Sequence, residues 1–309
     1  MIKIENLVKR YGDLVALDHL NLEIKEGEIF GLLGPNGSGK TTAINCMLAL
    51  LKYDKGNITI FGKAMKPTSY DIKQEIGVVM QNVAVFEQMT VYENIDYFCG
   101  LYVKEKSRRK DLVEEAIAFV GLDDYRKMRP KKLSGGLLRR LNIACGIAHK
   151  PKLIIMDEPT VAVDPQSRNH ILEGIQKLNA EGSTIIYTSH YMEEVEQICS
   201  RIAIIDHGKN LAVGTKEELK SRIKTGETVT VEAVVLNGAQ LTDIGNLPHV
   251  FEIEYEDQRL KVRLSGAKHN LVRVLTYLQD QEISFGRVFS ELPTLNDVFL
   301  EITGKQLRD

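Results

Sequence analysis

The stretch Gly34-Pro35-Asn36-Gly37-Ser38-Gly39-Lys40-Thr41-Thr42 decides the fold class of this chain. Its first eight residues fit GxxxxGK[ST], and the sequence on either side gives that pattern its meaning. Residues 27–33 form a short apolar run bounded by glycine, which reads as a buried strand, and residues 40–51 read as the helix that follows. A strand, a loop and a helix in that order set the glycines at a helix N-terminus. Lacking Cβ, they let successive N–H groups turn toward a phosphate, and the helix dipole adds positive potential there. Lys40 is then placed to reach the β and γ phosphates of a nucleotide, and the Thr41 hydroxyl to ligate Mg²⁺. Asn36, Gly37, Ser38, Gly39 and Thr42 complete this nucleotide-binding set.

Working outward, residues 153–156 and 184–187 are further aliphatic runs, each followed by polar residues and a helical pattern, at 165–178 and 192–199. That alternation predicts parallel strands wrapped by helices. Between them, 91–102 and 111–120 carry apolar residues at helical spacing without a strand, so 88–150 reads as a helical insert. Asp157 and Glu158 close the 153–156 run, at the edge where open parallel sheets bind ligands. Asp157 is expected to hold the Mg²⁺ shell. Glu158, pointing the other way along the pleat, is expected to polarise an attacking water. With the phosphate loop, the pair points to a nucleotide triphosphatase.

The pattern changes near residues 224–226, so residues 1–224 and 225–309 are expected to form two domains. In the second, 228–236 alternates as a strand, 250–255 and 260–264 form a hairpin, 271–278 is helical, 283–289 is a strand, and a short helix follows Pro293. That order predicts an α+β, ferredoxin-like split βαββαβ layer.

Composition bounds the rest. A 309-residue chain with 43% apolar and 27% charged residues can bury a core, and its net charge of −2 gives no global basic bias toward duplex DNA. Cys46, Cys99, Cys145 and Cys199 form no CxxC pair, so neither a zinc knuckle nor a dithiol site is indicated. The N-terminus shows no apolar block or cleavage site, and no run approaches the about 18 apolar residues of a membrane span. Service to a membrane would come through partners.

Leu133-Ser134-Gly135-Gly136-Leu137, opening a helix shortly before the Asp157 strand, resembles the signature motif of the ATP-binding-cassette (ABC) ATPases. The resemblance extends over residues 1 to 220. It implies a mixed-sheet P-loop cassette with a helical subdomain, hydrolysis of ATP with Mg²⁺, and a dimer in which Ser134 and Gly136 face the γ phosphate held by the other subunit. Tyr11 matches the aromatic that stacks on adenine. Gln81 matches the Q-loop glutamine that contacts Mg²⁺ and senses the membrane partner. His190 matches the switch histidine on the γ phosphate, and with Glu158, Gln81 and Lys40 makes up the implied catalytic set. Asp164 matches the D-loop aspartate and equally suits a helix N-cap before Pro165. Two departures stand out: Leu137 where the family most often has glutamine, and 161–164 reading Val-Ala-Val-Asp rather than a Ser-Ala-Leu-Asp type.

The C-terminal run Glu291-Leu-Pro-Thr-Leu-Asn-Asp-Val-Phe-Leu-Glu-Ile-Thr-Gly304 resembles the tail of cassettes from the drug- and antibiotic-resistance and sodium-extrusion exporters. The resemblance implies a cytoplasmic subunit, peripheral on the inner face of the cell membrane, with polytopic permease subunits and a second cassette as partners. The 83–98 stretch, with Phe86 as anchor, is the expected docking surface. The rival is a soluble ABC-type ATPase acting on nucleic acid or ribosomes. Such relatives carry two cassettes or a long insert, which this chain lacks, and no nucleic acid is expected.

Overall fold

The computed structural model describes residues 1–304 apart from Ala162 and Ala233. The described residues divide into two compact units, Met1–Thr215 and 216–304, where the sequence placed the division at 224/225.

The first unit opens with antiparallel strands β1 (Ile2–Tyr11) and β2 (Leu14–Ile24), followed by β3 (Ile29–Leu33) and α1 (Lys40–Met47). Next come β4 (Lys55–Ile60), β5 (Lys63–Ala64), α2 (Tyr70–Lys73) and β6 (Ile76–Val79). The helical insert holds α3 (Val91–Gly100), α4 (Lys106–Phe119) and α5 (Gly135–Ile147), after which β7 (Leu153–Asp157), α6 (Pro165–Ala180), β8 (Thr184–Thr188), α7 (Met192–Ile198), β9 (Arg201–Asp206) and β10 (Lys209–Gly214) complete it. The mixed character comes from two sheets. One is antiparallel, β2-β1-β4-β5; the other, β10-β9-β3-β8-β7-β6, is parallel except for its β10 edge.

Every residue of β3, β7 and β8 is buried, as expected of parallel strands covered on both faces. Leu7, Leu17 and Leu20 of the antiparallel sheet meet Phe30, Leu32, Ile155 and Ile186 of the parallel one in a core that also takes in Ile44 and Met47 of α1. Packing of this core fixes α1, and with it the loop that precedes it. The helix is shorter than the 40–51 pattern: Ala49 has φ 51, a left-handed turn that ends it. At α3, Thr90 and Glu93 form a reciprocal capping box.

The second unit runs α8 (Lys216–Lys220), β11 (Thr225–Val231), α9 (Gly238–Gly245), β12 (Val250–Glu256), β13 (Arg259–Ser265), α10 (Asn270–Asp280), β14 (Val288–Glu291) and α11 (Leu295–Thr303). Its sheet order is β12-β13-β11-β14, and each neighbouring pair is antiparallel. Val229, Val231, Leu260, Val262 and Leu264 pack against Ile244 of α9 and Val274 and Leu278 of α10. Two strands differ from the sequence reading. The first ends at Val231 rather than at 236, because Val234 and Leu236 enter the core from a non-strand connection. The last is Val288–Glu291 rather than 283–289, since only those residues pair with β11.

His149, just past α5, lies flat on Tyr102 with ring centroids 3.9 Å apart, and its Nε2 is 3.3 Å from the Ile76 carbonyl. Burial pushes its imidazole from the usual 6.5 down to about 4. Between those values the unfolded chain takes up a proton that the folded one refuses. Stability therefore falls as pH drops from 6.5 to 4, by up to about 1.4 kcal/mol per pH unit, and this contribution is level above and below that window. A His149→Gln variant is expected to lose that part of the slope, which urea melts at pH 7 and pH 5 will measure.

Candidate nucleotide-binding and hydrolysis site

The loop between β3 and α1 is shaped by what its glycines must avoid. A Cβ on Gly34 would overlap the Ile205 carbonyl oxygen, and Gly39, the N-cap of α1, has φ 107 with the Ala16 carbonyl 2.8 Å from where a Cβ would stand. No other residue fits either position without moving backbone. The Lys40 side chain, only 6% exposed, curls over the loop and donates to the Gly34 carbonyl at 2.7 Å and the Pro35 carbonyl at 3.1 Å. Burial lowers its pKa, opposed by the nearby Glu158 and Asp157 carboxylates. The Ser38 hydroxyl is buried in the same loop without a hydrogen-bond partner among the described residues. An unpartnered buried hydroxyl in a glycine cradle beside a buried ammonium fits a phosphate ligand.

The carboxylates arrive from the C-terminal end of β7. Asp157, 2% exposed, faces Thr41 with its Oδ2 accepting from the hydroxyl at 3.2 Å, while its Oδ1 accepts from the Thr188 hydroxyl at 2.6 Å. The Thr188 side chain serves both neighbours, since its Oγ1 also accepts from the Glu158 N–H at 2.9 Å. Glu158 has φ 49, the left-handed region that non-glycine residues seldom occupy. Its Oε2 accepts from Gln81 Nε2 at 3.2 Å and lies 3.5 Å from His190 Nδ1. So the ends of β6, β7 and β8 bring Gln81, Glu158 and His190 together, one step from Thr41 and Asp157.

This donor set suits Mg²⁺. A hydroxyl, a carboxylate and an amide oxygen are hard ligands, and a cation sharing its shell with substrate phosphates needs few of them. Among the described residues no three His, Cys, Asp or Glu side chains converge on a metal position.

The remaining sequence candidates lie elsewhere. Ser134 is the N-cap of α5 and accepts from the Leu137 N–H at 3.3 Å. Gly136 is packed so closely on α6 that a Cβ would lie 2.7 Å from Ser167 Oγ and 3.1 Å from Asp164 Oδ2. Neither hydrogen-bonds to the phosphate loop of its own chain among the described residues. Asp164 caps α6 by accepting from the Ser167 N–H at 2.9 Å, and those bonds hold its pKa down. Ala162 of the 161–164 loop falls outside the described residues. Tyr11 is half exposed at the end of β1, with Lys9 Nζ 4.9 Å from its ring centre. Asn36 and Gly37 are exposed on the phosphate loop. Phe86 stacks on Phe98 at 5.9 Å and meets Tyr97 edge-on at 4.9 Å, forming a partly exposed aromatic group.

Sequence reasoning missed three side chains. Thr188 sits two residues before His190, and the strand's own alternation could have flagged it. Arg139 falls on the buried face of α5 with Gly136 and Asn142, a charge at helical spacing among residues that face inward. The third is Glu194, whose buried Oε2 accepts from Thr160, Tyr187 and Ser189, tying the stretch after Glu158 to the His190 loop. Nothing in its local sequence marks it.

Comparison with known proteins places this geometry. The ABC transporter family model matches residues 17–161, and that of the "ATP-binding protein DrrA1-3-like, C-terminal domain" matches residues 214–303. The chain is 40% identical over 311 residues to the linearmycin resistance ATP-binding protein LnrL of Bacillus subtilis (strain 168), covering 100% of both chains. It is 32% identical to the daunorubicin resistance ATP-binding protein DrrA3 of Streptomyces coeruleorubidus, over 99% of this chain and 97% of that one. Among solved structures, the dimeric post-hydrolysis state of the ATP-binding cassette MJ0796 bound to ADP and Pi covers 70% of this chain and 98% of its own, with TM-score 0.64 and 28% identity. The chain belongs to the ABC transporter family, as one of its ATP-binding subunits. It is an ATPase of that family.

Proposed function

We propose that two copies of this subunit close on two ATP molecules at a shared seam, and that closing and reopening drive a polytopic permease that works as an exporter. The observation that carries the reading is the convergence of Thr41, Asp157, Gln81, Glu158 and His190 beside a glycine loop holding Lys40. A relative named as a Nod factor export ATP-binding protein, 32% identical over 100% of this chain and 87% of its own, supports the export half of it.

In this reading Lys40 and the loop amides hold the β and γ phosphates, and Tyr11 stacks on the adenine. Mg²⁺ would be held by Thr41, Asp157 and Gln81, where it supplies charge neutralisation on the phosphate oxygens. Glu158 accepts a proton from the water as its oxygen bonds to the γ phosphorus and the bond to the β-bridging oxygen breaks. His190 donates to a γ-phosphate oxygen. Ser134 and Gly136 of the partner copy supply the facing helix N-terminus. Losing the γ phosphate removes the contacts that bridge the copies, and the pair reopens.

The surface around Phe86 is the proposed permease contact, since aromatic side chains make efficient anchors. No described helix is long and apolar enough to cross a membrane. Attachment at the inner face of the cell membrane would therefore be through that contact. The second unit's strand order is that of a split βαββαβ layer, which supports the ferredoxin-like reading; its place is regulatory or dimerising rather than catalytic. An ATPase of nucleic acid or ribosomes is not favoured, the relatives being named for linearmycin resistance, daunorubicin resistance and Nod factor export. Affinity purification of the tagged chain from detergent-solubilised membranes is expected to bring down a polytopic protein. Recovery with ribosomes or RNA in its place would reverse the choice.

A further inference from the structure

Arg139 is a buried cation that none of these roles uses. It lies one turn into α5, 4% exposed, and all five of its N–H donors are taken by main-chain carbonyls. Nη1 donates to Met80 at 2.9 Å and Gln81 at 2.8 Å; Nη2 donates to Glu158 at 2.6 Å and Asp157 at 3.3 Å; Nε donates to Pro159 at 2.7 Å. Two loops that are remote in sequence thus share one planar fork. A lysine could reach only some of these oxygens, because its three donors radiate from a single point.

We propose that Arg139 is a positioning residue for hydrolysis, fixing the backbones of Gln81 and Glu158 to the helix whose tip is Ser134. Two further observations support it. Glu158 holds a left-handed φ, a conformation that persists only where its surroundings fix it, and its two peptide groups are held from opposite sides: the N–H by Thr188 and the carbonyl by Arg139. One turn further along α5, Asn142 repeats the contact, accepting from the Ala84 N–H at 3.1 Å and donating to the Met80 carbonyl at 3.4 Å. Helix α5 therefore grips the segment after β6 twice. Any shift of the Ser134 tip is carried through the Arg139 fork to the side chains that face the water. In the two-copy assembly, the same helix touches one ATP through its tip and sets the carboxylate of the other site through Arg139. The carbonyls use the guanidinium for its geometry rather than for charge pairing. Burial pushes its pKa down, opposed by the nearby Asp157, Tyr187 and Glu158.

The inference rests on the roles given above to Glu158 and Gln81. Its test uses the purified full-length chain with Arg139→Gln and Arg139→Lys, measuring MgATP turnover and titrating trinitrophenyl-ATP. Because misplacing a reacting group by about 1 Å costs about 100-fold, Arg139→Gln is expected to lose about that much in kcat. KM and the trinitrophenyl-ATP Kd should stay within about threefold, the split that separates positioning from binding. Arg139→Lys, with charge and some donors kept, should recover about a tenth of wild-type kcat. Turnover by a folded Arg139→Gln within about threefold of wild type overturns the proposal, as does a Kd that rises in step with the loss of kcat. If neither variant folds, Arg139 serves stability alone and the proposal is likewise overturned. The two readings fail separately. Normal hydrolysis by Glu158→Gln would undo the catalytic assignment whatever Arg139 does, whereas an inactive Glu158→Gln beside a normal Arg139→Gln would undo only this one.

Discussion

Replacing Glu158 with glutamine is expected to lower steady-state ATP turnover by about 10²–10⁴-fold, the range a general base contributes, while leaving nucleotide binding in place. The substitution changes one atom and keeps the shape. Its amide oxygen can still accept from Gln81 Nε2, as the Glu158 Oε2 does now at 3.2 Å, and the backbone bonds to Thr188 are untouched. What disappears is a carboxylate, 8% exposed, able to take a proton from water. Loss of one negative charge next to Lys40 does not weaken binding of an anionic nucleotide. ATP therefore binds but is not split, and the closed pair of cassettes should accumulate. Light scattering after gel filtration in MgATP is expected to show the variant at twice the monomer mass, with the wild type returning to monomer as ATP is consumed. Phosphate release at the normal rate would sink the assignment of Glu158. Absence of any twofold species in either protein would sink the shared seam.

Much of this site was legible because its chemistry needs particular residues at particular backbone positions. Gly34 and Gly39 are read from sequence for the same reason the structure demands them, namely the nearness of the Ile205 and Ala16 carbonyls and a positive φ. Asp157 and Glu158 were legible as charges ending an apolar strand. Gln81 and His190 came from the family resemblance alone; their contacts with Glu158 rest on the order of the strand ends, which the parallel sheet lays side by side. The role of Arg139 was not legible. Its work is hydrogen bonding to main-chain carbonyls that lie 18 to 59 residues away, and a carbonyl has no signature in the sequence.

The fold shows the same division. Strands β3, β7 and β8 were found because burial on both faces makes their central residues apolar. In the second unit the ends slipped, since alternation reports which side chains face the core and not which backbone groups are paired. Val234, Leu236 and Ile283 all pack on that core, yet none belongs to the strands that meet across β11. Helix α8 lies before the 224/225 division yet groups with the second unit, because a five-residue helix carries too little periodicity to show which unit it packs on.

Lys40 gives the opposite result from Glu158. Lys40→Ala is expected to abolish turnover by preventing binding, since removing one partner of a buried charged contact costs about 2–5 kcal/mol. At the middle of that range, and with about 1.4 kcal/mol per tenfold, ATP affinity drops at least 100-fold. The loss has a direct thermodynamic readout. A ligand at 100 times its Kd stabilises a protein by about 2.7 kcal/mol, and raising the Kd 100-fold at the same concentration leaves about 0.4 kcal/mol. The thermal shift that MgATP gives the wild-type chain should therefore nearly vanish in Lys40→Ala and persist in Glu158→Gln. Without ATP the variant loses two hydrogen bonds to the loop, at Gly34 and Pro35, but also the desolvation of an ammonium that burial disfavours. Those contributions oppose one another, so the two proteins should melt within a few degrees of one another before nucleotide is added. A full MgATP-induced shift in Lys40→Ala would show that the loop amides alone hold the phosphates, and the lysine would lose its place in binding.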